Sequence, residues 1–185
     1  MGLAVGMVQS QELALNQNRP MEIREETTAD IDAIREVNRR AFAQEQEGNI
    51  VDALRSNGAA LLSLVAIVDR EVVGHIMYSP ATVDDTIGAA LGPMAVLPEF
   101  QRQGIGSRLV EAGNERLKAQ GCPFIIVVGH AEYYPRFGFT PASKHGIRCE
   151  WDLPDNVFMI AVLDPVKMQG VSGLAKYRHE FSTVT

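Results

Sequence analysis

The chain has 185 residues, 46% hydrophobic and 22% charged, with a net charge of −6. That length and mixture suit one ordinary globular domain with an interior large enough to need no metal or disulfide staple. An acidic chain without a lysine or arginine run argues against a nucleic-acid or anionic-membrane partner, leaving room only for a local basic patch at a phosphate site.

The first twenty residues lack the basic start and the apolar length of a signal peptide or membrane span. Gly6 also stands where a myristoylation signal needs Ser or Thr. Residues 1–20 are therefore expected to form a poorly ordered arm, residues 21–185 a single domain, and the protein is expected in the cytoplasm. MEIREET (Met21–Thr27) begins with alternation and predicts a strand. Thr27-x-x-Asp30 resembles a capping box, and Ile31, Ile34 and Val37 follow at helical spacing, predicting a helix from Thr28 to about Phe42. Ile50–Leu54 is a second amphipathic piece, broken at Asn57-Gly58.

LLSLVAIVD and EVVGHIMYSP are β-rich runs joined by a hairpin turn at Asp69-Arg70-Glu71. ATVDDTIGAALGPMAVLP holds a polar turn and a strand ending at Pro98. Ile105, Leu109, Val110 and Leu117 mark one face of a helix, with Gly121 as its cap. PFIIVVGH reads as a strand buried on both faces, AEYYPRF as a short helix or turn, and Trp151 and VFMIAVL as closing strands. The order is mixed α/β around one central sheet.

Cys122 and Cys149 stand outside any CxxC spacing and read as free thiols of a reducing compartment. The four histidines, His75, His130, His145 and His179, form no HxxxH pair. His130-Ala131-Glu132 lacks the PCxxC that would complete a zinc deaminase, so no metal is expected.

The stretch MAVLPEFQRQGIGSRLV (Met94–Val110) sets a glycine loop between a strand and a helix. It lacks the spacing and lysine of GxxxxGK[ST]. It also fails GxGxxG, because Leu109 occupies the third glycine position and no acidic residue ends a second strand at the right distance. It does satisfy Gln/Arg-x-x-Gly-x-Gly/Ala, in which glycines admit a pyrophosphate to backbone N–H groups at a helix start. Taken alone, the loop reads either as that site or as a tight turn without a ligand.

The same stretch resembles the acetyl-CoA motif of the GNAT superfamily of N-acetyltransferases. REVVGHIMYSP resembles the family's preceding hairpin strand. CPFIIVVGHAEYYPRFGF resembles its next strand and closing Tyr-x-x-x-Gly-Phe, here Tyr134 to Phe139. The likeness runs from about Met21 to Leu163. It implies the GNAT acyl-CoA N-acyltransferase fold, a mixed α/β domain with a central, mostly antiparallel sheet and flanking helices. It also implies acetyl-CoA as co-substrate, without a metal, and a primary amine as acceptor on a small molecule or a protein.

Carried over by position, Met94, Ala95 and Val96 would pair their backbone with the pantetheine arm and polarise the thioester carbonyl. Gln101, Arg102, Gln103, Gly104, Ile105, Gly106 and Ser107 would hold the pyrophosphate. Tyr134 would protonate the departing thiolate, or else pack and only hydrogen-bond its sulfur. The strand carries no carboxylate, so the ammonium proton would go to His130, directly or through water, or to water with no dedicated base. Phe42, Trp151 and His145 read as acceptor-pocket or as core and rim residues, and the polar segment 141–156 as the place of acceptor specificity. The alternative reading is a non-catalytic CoA-binding sensor of the same fold. A homodimer through C-terminal edge strands follows by analogy alone.

Overall fold

The protein structure, a computed structural model, describes residues 20–183. The arm expected over residues 1–20 lies outside them, Pro20 apart. Strand β1 (Met21–Glu25) leads into a short turn of 3-10 helix, helix α1 (Ile31–Phe42) and helix α2 (Gln46–Ser56). The Thr27–Asp30 capping box is present, but it caps the 3-10 turn, which runs directly into α1. Strands β2 (Leu62–Val68), β3 (Glu71–Val83) and β4 (Thr86–Val96) follow as an antiparallel meander. Asp69 and Arg70 both take left-handed φ, 51° and 71°, the geometry that matches a tight hairpin to strand twist.

Helix α3 (Ile105–Ala119) crosses to β5 (Phe124–Val128), the parallel neighbour of β4. Its far end closes where Cys122 N–H returns to the Leu117 carbonyl across Gly121. Beyond β5 come β6 (Thr140–Pro141), β7 (Ile147–Cys149), β8 (Phe158–Val162) and β9 (Gly173–Lys176). The sheet runs β1-β2-β3-β4-β5-β8-β6, with β9 pairing both the end of β3 and β7. Segment 141–156 is thus threaded with short structure, and the tail after Val171 carries a strand and a 3-10 turn (His179–Thr183).

The two faces of the sheet are covered differently. A methyl on Gly74 of β3 would stand 3.1 Å from both Ile105 and Leu109, so α3 packs on that face. The next residue, His75, points the other way and meets Asn38 of α1. Closest approach occurs at Gly113 of α3, where a methyl would enter the ring of buried Tyr78, 2.6 Å from its Cζ. Helix and sheet touch there because glycine leaves the space open.

His75 is fully buried and anchors a polar chain through the sheet. Asn38 Nδ2 donates to the Ile34 carbonyl at 2.9 Å and contacts His75 Nδ1 at 3.2 Å. An amide nitrogen only donates, so Nδ1 is the bare nitrogen and the proton sits on Nε2, 2.9 Å from Ser63 Oγ. Ser63 donates in turn to the Glu26 carboxylate, which Arg55 grips through two nitrogens at 2.7 and 3.0 Å. Burial pushes the His75 pKa down, against the pull of Glu26. Burial also pushes Glu26 up, but the His75 ring 3.7 Å away and hydrogen bonds from Arg55 and Ser63 together hold it well below the usual carboxylate range.

Two stability predictions arise here. In the unfolded chain His75 takes a proton near pH 6.5, but in the fold it resists one. Stability is therefore complete above that pH and falls as pH drops below it, by up to about 1.4 kcal/mol per unit. Glu26 adds its loss only below about pH 4.3. Denaturant titrations at pH 7, 6 and 5 should show this decline in the wild type and a flatter profile in His75→Gln. Gly113→Ala, which in an exposed helix would stabilise by about 1 kcal/mol, should here destabilise by about 1–3 kcal/mol, read in the same titrations.

Candidate active site

β4 and β5 pair only at Ala89–Ile125 and Ala90–Ile126. Past Leu91, β4 carries an extra residue relative to β3: Tyr78 faces Leu91, whereas Ile76 faces Met94. This bulge at Gly92-Pro93 turns β4 away from β5, and the last part of β4 keeps only β3 as a partner. Leu97 N–H donates to the Val73 carbonyl at 2.9 Å. In the same register Ala95 faces His75, so Ala95 spends its backbone groups on β3. Met94 and Val96 alternate with it and direct theirs into the gap left by β5. Gln101 Nε2 takes the Val96 carbonyl at 3.0 Å from that side.

The gap leads to the head of α3. Arg102 and Gly104 adopt left-handed φ of 61° and 84°, which bring the chain from β4 into the helix. The first helical bond runs from Arg108 N–H to the Gly104 carbonyl, 3.1 Å. The N–H groups of Ile105, Gly106 and Ser107 lie ahead of it and face forward at the positive end of a 15-residue helix. Nothing lies within 4 Å of a methyl built on Gly104, so space above the turn is open. The loop is braced from below: Gln103 Nε2 donates to the Glu99 carbonyl at 2.9 Å, and Arg40 of α1 donates to the Glu99 carboxylate at 3.0 Å. A methyl on Gly106 would stand 2.8 Å from Tyr133 Oη and 3.3 Å from Met94 Sδ, so loop, strand and tyrosine turn meet at that glycine.

The Tyr-x-x-x-Gly-Phe spacing has a physical cause. Tyr134 opens a 3-10 turn (Tyr134–Phe137) that Gly138 ends with φ 83°. The turn folds Phe139 edge-on to the Tyr134 ring, centroids 5.5 Å apart. Gly129 also lies against the ring, where a methyl would come within 3.0 Å of Tyr134 Cδ2. Tyr133 packs edge-on at 5.1 Å. Tyr134 is 7% exposed, and burial pushes its phenol well above the ordinary value, with Tyr133 adding to the rise. Its hydroxyl therefore stays protonated and available to donate throughout the physiological pH range.

His130 ends the segment after β5. Its carbonyl receives Tyr133 N–H at 3.0 Å, but its side chain is exposed in a groove with Arg102, Ala131, Glu132, Tyr133 and Arg136. Arg136 lies over the Tyr133 ring at 4.5 Å and its Nε donates to the Tyr133 carbonyl at 3.1 Å. The Tyr-x-x-x-Gly-Phe spacing selects neither Tyr133 nor Arg136; their proximity to the glycine loop depends on how the turn packs.

On the opposite face, Phe181 Cε1 stands 3.4 Å from a methyl built on Gly92, directly behind the bulge. Tyr177 packs edge-on to Phe181 at 5.5 Å and stacks on Trp151 at 4.6 Å. Of the three residues weighed for an acceptor pocket, Trp151 thus joins the tail, His145 contacts Thr140 Oγ1 at 3.1 Å, and Phe42 stands at the end of α1, 37% exposed. Burial pushes both cysteine thiols up, away from the reactive thiolate. Among the described residues no group of three His, Cys, Asp or Glu side chains is placed to hold a metal, and no helix is long and apolar enough to cross a membrane.

This geometry has counterparts in known proteins. The sequence model of the Acetyltransferase (GNAT) family matches residues 23–139. The N-acetyltransferase YjhQ of Escherichia coli K12 is 40% identical over 134 residues, which cover 69% of this chain and 74% of that protein. The N-acetyltransferase YhbS of the same strain is 33% identical over 88% of this chain and 99% of its own length. A crystal structure of Escherichia coli YhbS in complex with CoA superposes with a TM-score of 0.86 at 30% identity, covering 90% of this chain and 94% of that one. A GNAT acetyltransferase from Brucella melitensis in complex with acetyl-CoA gives 0.74 at 33% identity, over 89% and 99%. The parted strands, the glycine-headed helix and the buried tyrosine turn are those of an acyltransferase fold, and the chain belongs to the GNAT family of N-acetyltransferases.

Proposed function

We propose that this chain transfers the acetyl group of acetyl-CoA to a primary amine. The observation that carries the reading is the edge of β4 turned toward the gap at Met94 and Val96, continuous with the forward-facing N–H groups of Ile105, Gly106 and Ser107. An extended pantetheine arm fits such an edge as an added strand would, and a pyrophosphate fits the helix head. The complexes of YhbS with CoA and of the Brucella protein with acetyl-CoA support the assignment. Ala95, committed to β3, lies between the two pairing residues and holds them in register. Gln101 and Gln103 brace the loop, and Arg102, Gly104 and Ser107 line its mouth.

In the transfer, the amine lone pair attacks the thioester carbonyl carbon while the Met94 N–H polarises the carbonyl oxygen. The C–S bond breaks, Tyr134 gives its hydroxyl proton to the sulfur, and the proton lost from the new amide nitrogen restores the phenol. Before attack the ammonium must lose one proton. We assign that step to water, because the His130 side chain opens on the groove with Arg102 and Arg136. The acceptor is a primary amine of a small molecule or a protein.

Thermal unfolding tests the cofactor first. Acetyl-CoA and CoA at about a hundred times Kd should stabilise by about 2.7 kcal/mol and raise Tm by several degrees, whereas ATP and NADH should not. No shift with either thioester or thiol would overturn the assignment. Tyr134→Phe should then lower kcat about tenfold or more and leave the acetyl-CoA shift intact. A chain that binds without turnover would show the shift but release no CoA thiol with any amine. His130→Ala should leave the acidic limb of the kcat/KM profile in place; loss of that limb would move the base role to His130.

A further inference from the structure

The groove beside the glycine loop carries more positive charge than a pyrophosphate at a helix head requires. Its lining is Arg102, His130, Ala131, Glu132, Tyr133 and Arg136, two guanidiniums against one carboxylate, on a chain of net charge −6. Arg102 belongs to the loop itself, whereas Arg136 comes from the tyrosine turn, so two separate segments bring their cations to one place. Arg136 is also pre-set. Its Nε is engaged by the Tyr133 carbonyl and its plane lies over the Tyr133 ring, which leaves both terminal nitrogens for a ligand. A guanidinium held in this way loses less freedom on gripping a phosphate than a loose side chain would.

The helix head can meet a pyrophosphate with backbone N–H groups alone. The paired guanidiniums match a different group, a phosphomonoester, which carries close to two charges near neutral pH and accepts bidentate hydrogen bonds. CoA carries one such group, on the 3′ oxygen of the same ribose whose 5′ oxygen bears its pyrophosphate. We propose that Arg136 and Arg102 hold this 3′-phosphate, so that the groove makes the chain select CoA over its dephospho form. The proposal rests on the reading of the gap and loop as a CoA site. It assigns Arg136 a binding role and gives a reason for cations to gather on an otherwise acidic chain, where they offset the repulsion of a polyanionic ligand.

The test is titration calorimetry of the full chain with CoA and with 3′-dephospho-CoA, for wild type, Arg136→Gln and Arg102→Gln, with Tm of each variant measured to show that it is folded. Wild type should bind CoA about tenfold or more tightly than dephospho-CoA at low salt, a preference that shrinks as salt is raised. Arg136→Gln should weaken CoA binding by about that factor while leaving dephospho-CoA almost unchanged, so the preference collapses; Arg102→Gln should reduce it in part. Equal affinities in wild type would overturn the groove assignment while leaving the cofactor reading standing. An equal loss for both ligands in Arg136→Gln would overturn it too, placing that arginine on the pyrophosphate. Binding of neither ligand by wild type would overturn the cofactor reading and this proposal with it.

Discussion

The site depends on the separation of β4 from β5 after two paired residues. A parallel pair that continued would seal the backbone groups of Met94 and Val96 inside the sheet, and no ligand could reach them. The bulge at Gly92-Pro93 ends the pairing while β3 keeps its hold on the other edge, so Met94 and Val96 have no second strand beside them. The result is an internal sheet edge, protected from other chains by its position in the middle of the sheet rather than at its rim.

Several packed features surround that gap. Behind Ala95, the chain of hydrogen-bonded polar groups from Asn38 through His75 and Ser63 to Glu26 joins α1, β3, β2 and the end of β1, while Asn38 Oδ1 in it has no partner. On the other face Gly113 lets α3 close on Tyr78, which sets the helix head at the mouth of the gap. Phe181 packs behind the bulge and ties the end of the chain to the strand that carries the site. In the tyrosine turn, Gly129, Phe139 and Tyr133 pack around Tyr134 and keep it buried, where its hydroxyl keeps its proton.

Some of this was legible before any fold was seen. The helix over α1 and that over α3 follow from apolar spacing, and the hairpin at Asp69-Arg70 from its turn between two β-rich runs, because those signals are local and periodic. The loop QRQGIG and the spacing from Tyr134 to Phe139 are equally local, and together they carried the family resemblance. The start of α2 at Gln46 lay outside the apolar pattern, which begins only at Ile50. β6, β7 and β9 are two to four residues long, too short for any period to register, and they exist because neighbouring strands supply their hydrogen bonds.

The sequence by itself determined the class of fold, the loop at the head of α3 and the tyrosine turn, since each is written in contiguous residues whose spacing has a backbone cause. Only the tertiary structure decided which backbone groups of β4 face the gap, because that follows from the register with β3 and from a bulge visible only as a mismatch between two strands. It also decided that His75 is an interior polar link while His130 is exposed, two histidines alike on the page. The same holds for Arg136 and Arg102, brought to one groove from positions 34 apart by the crossing of α3 and β5. Charge and hydrogen-bonding capacity belong to the residue, but their use depends on distance, and distance across a sheet is set by packing.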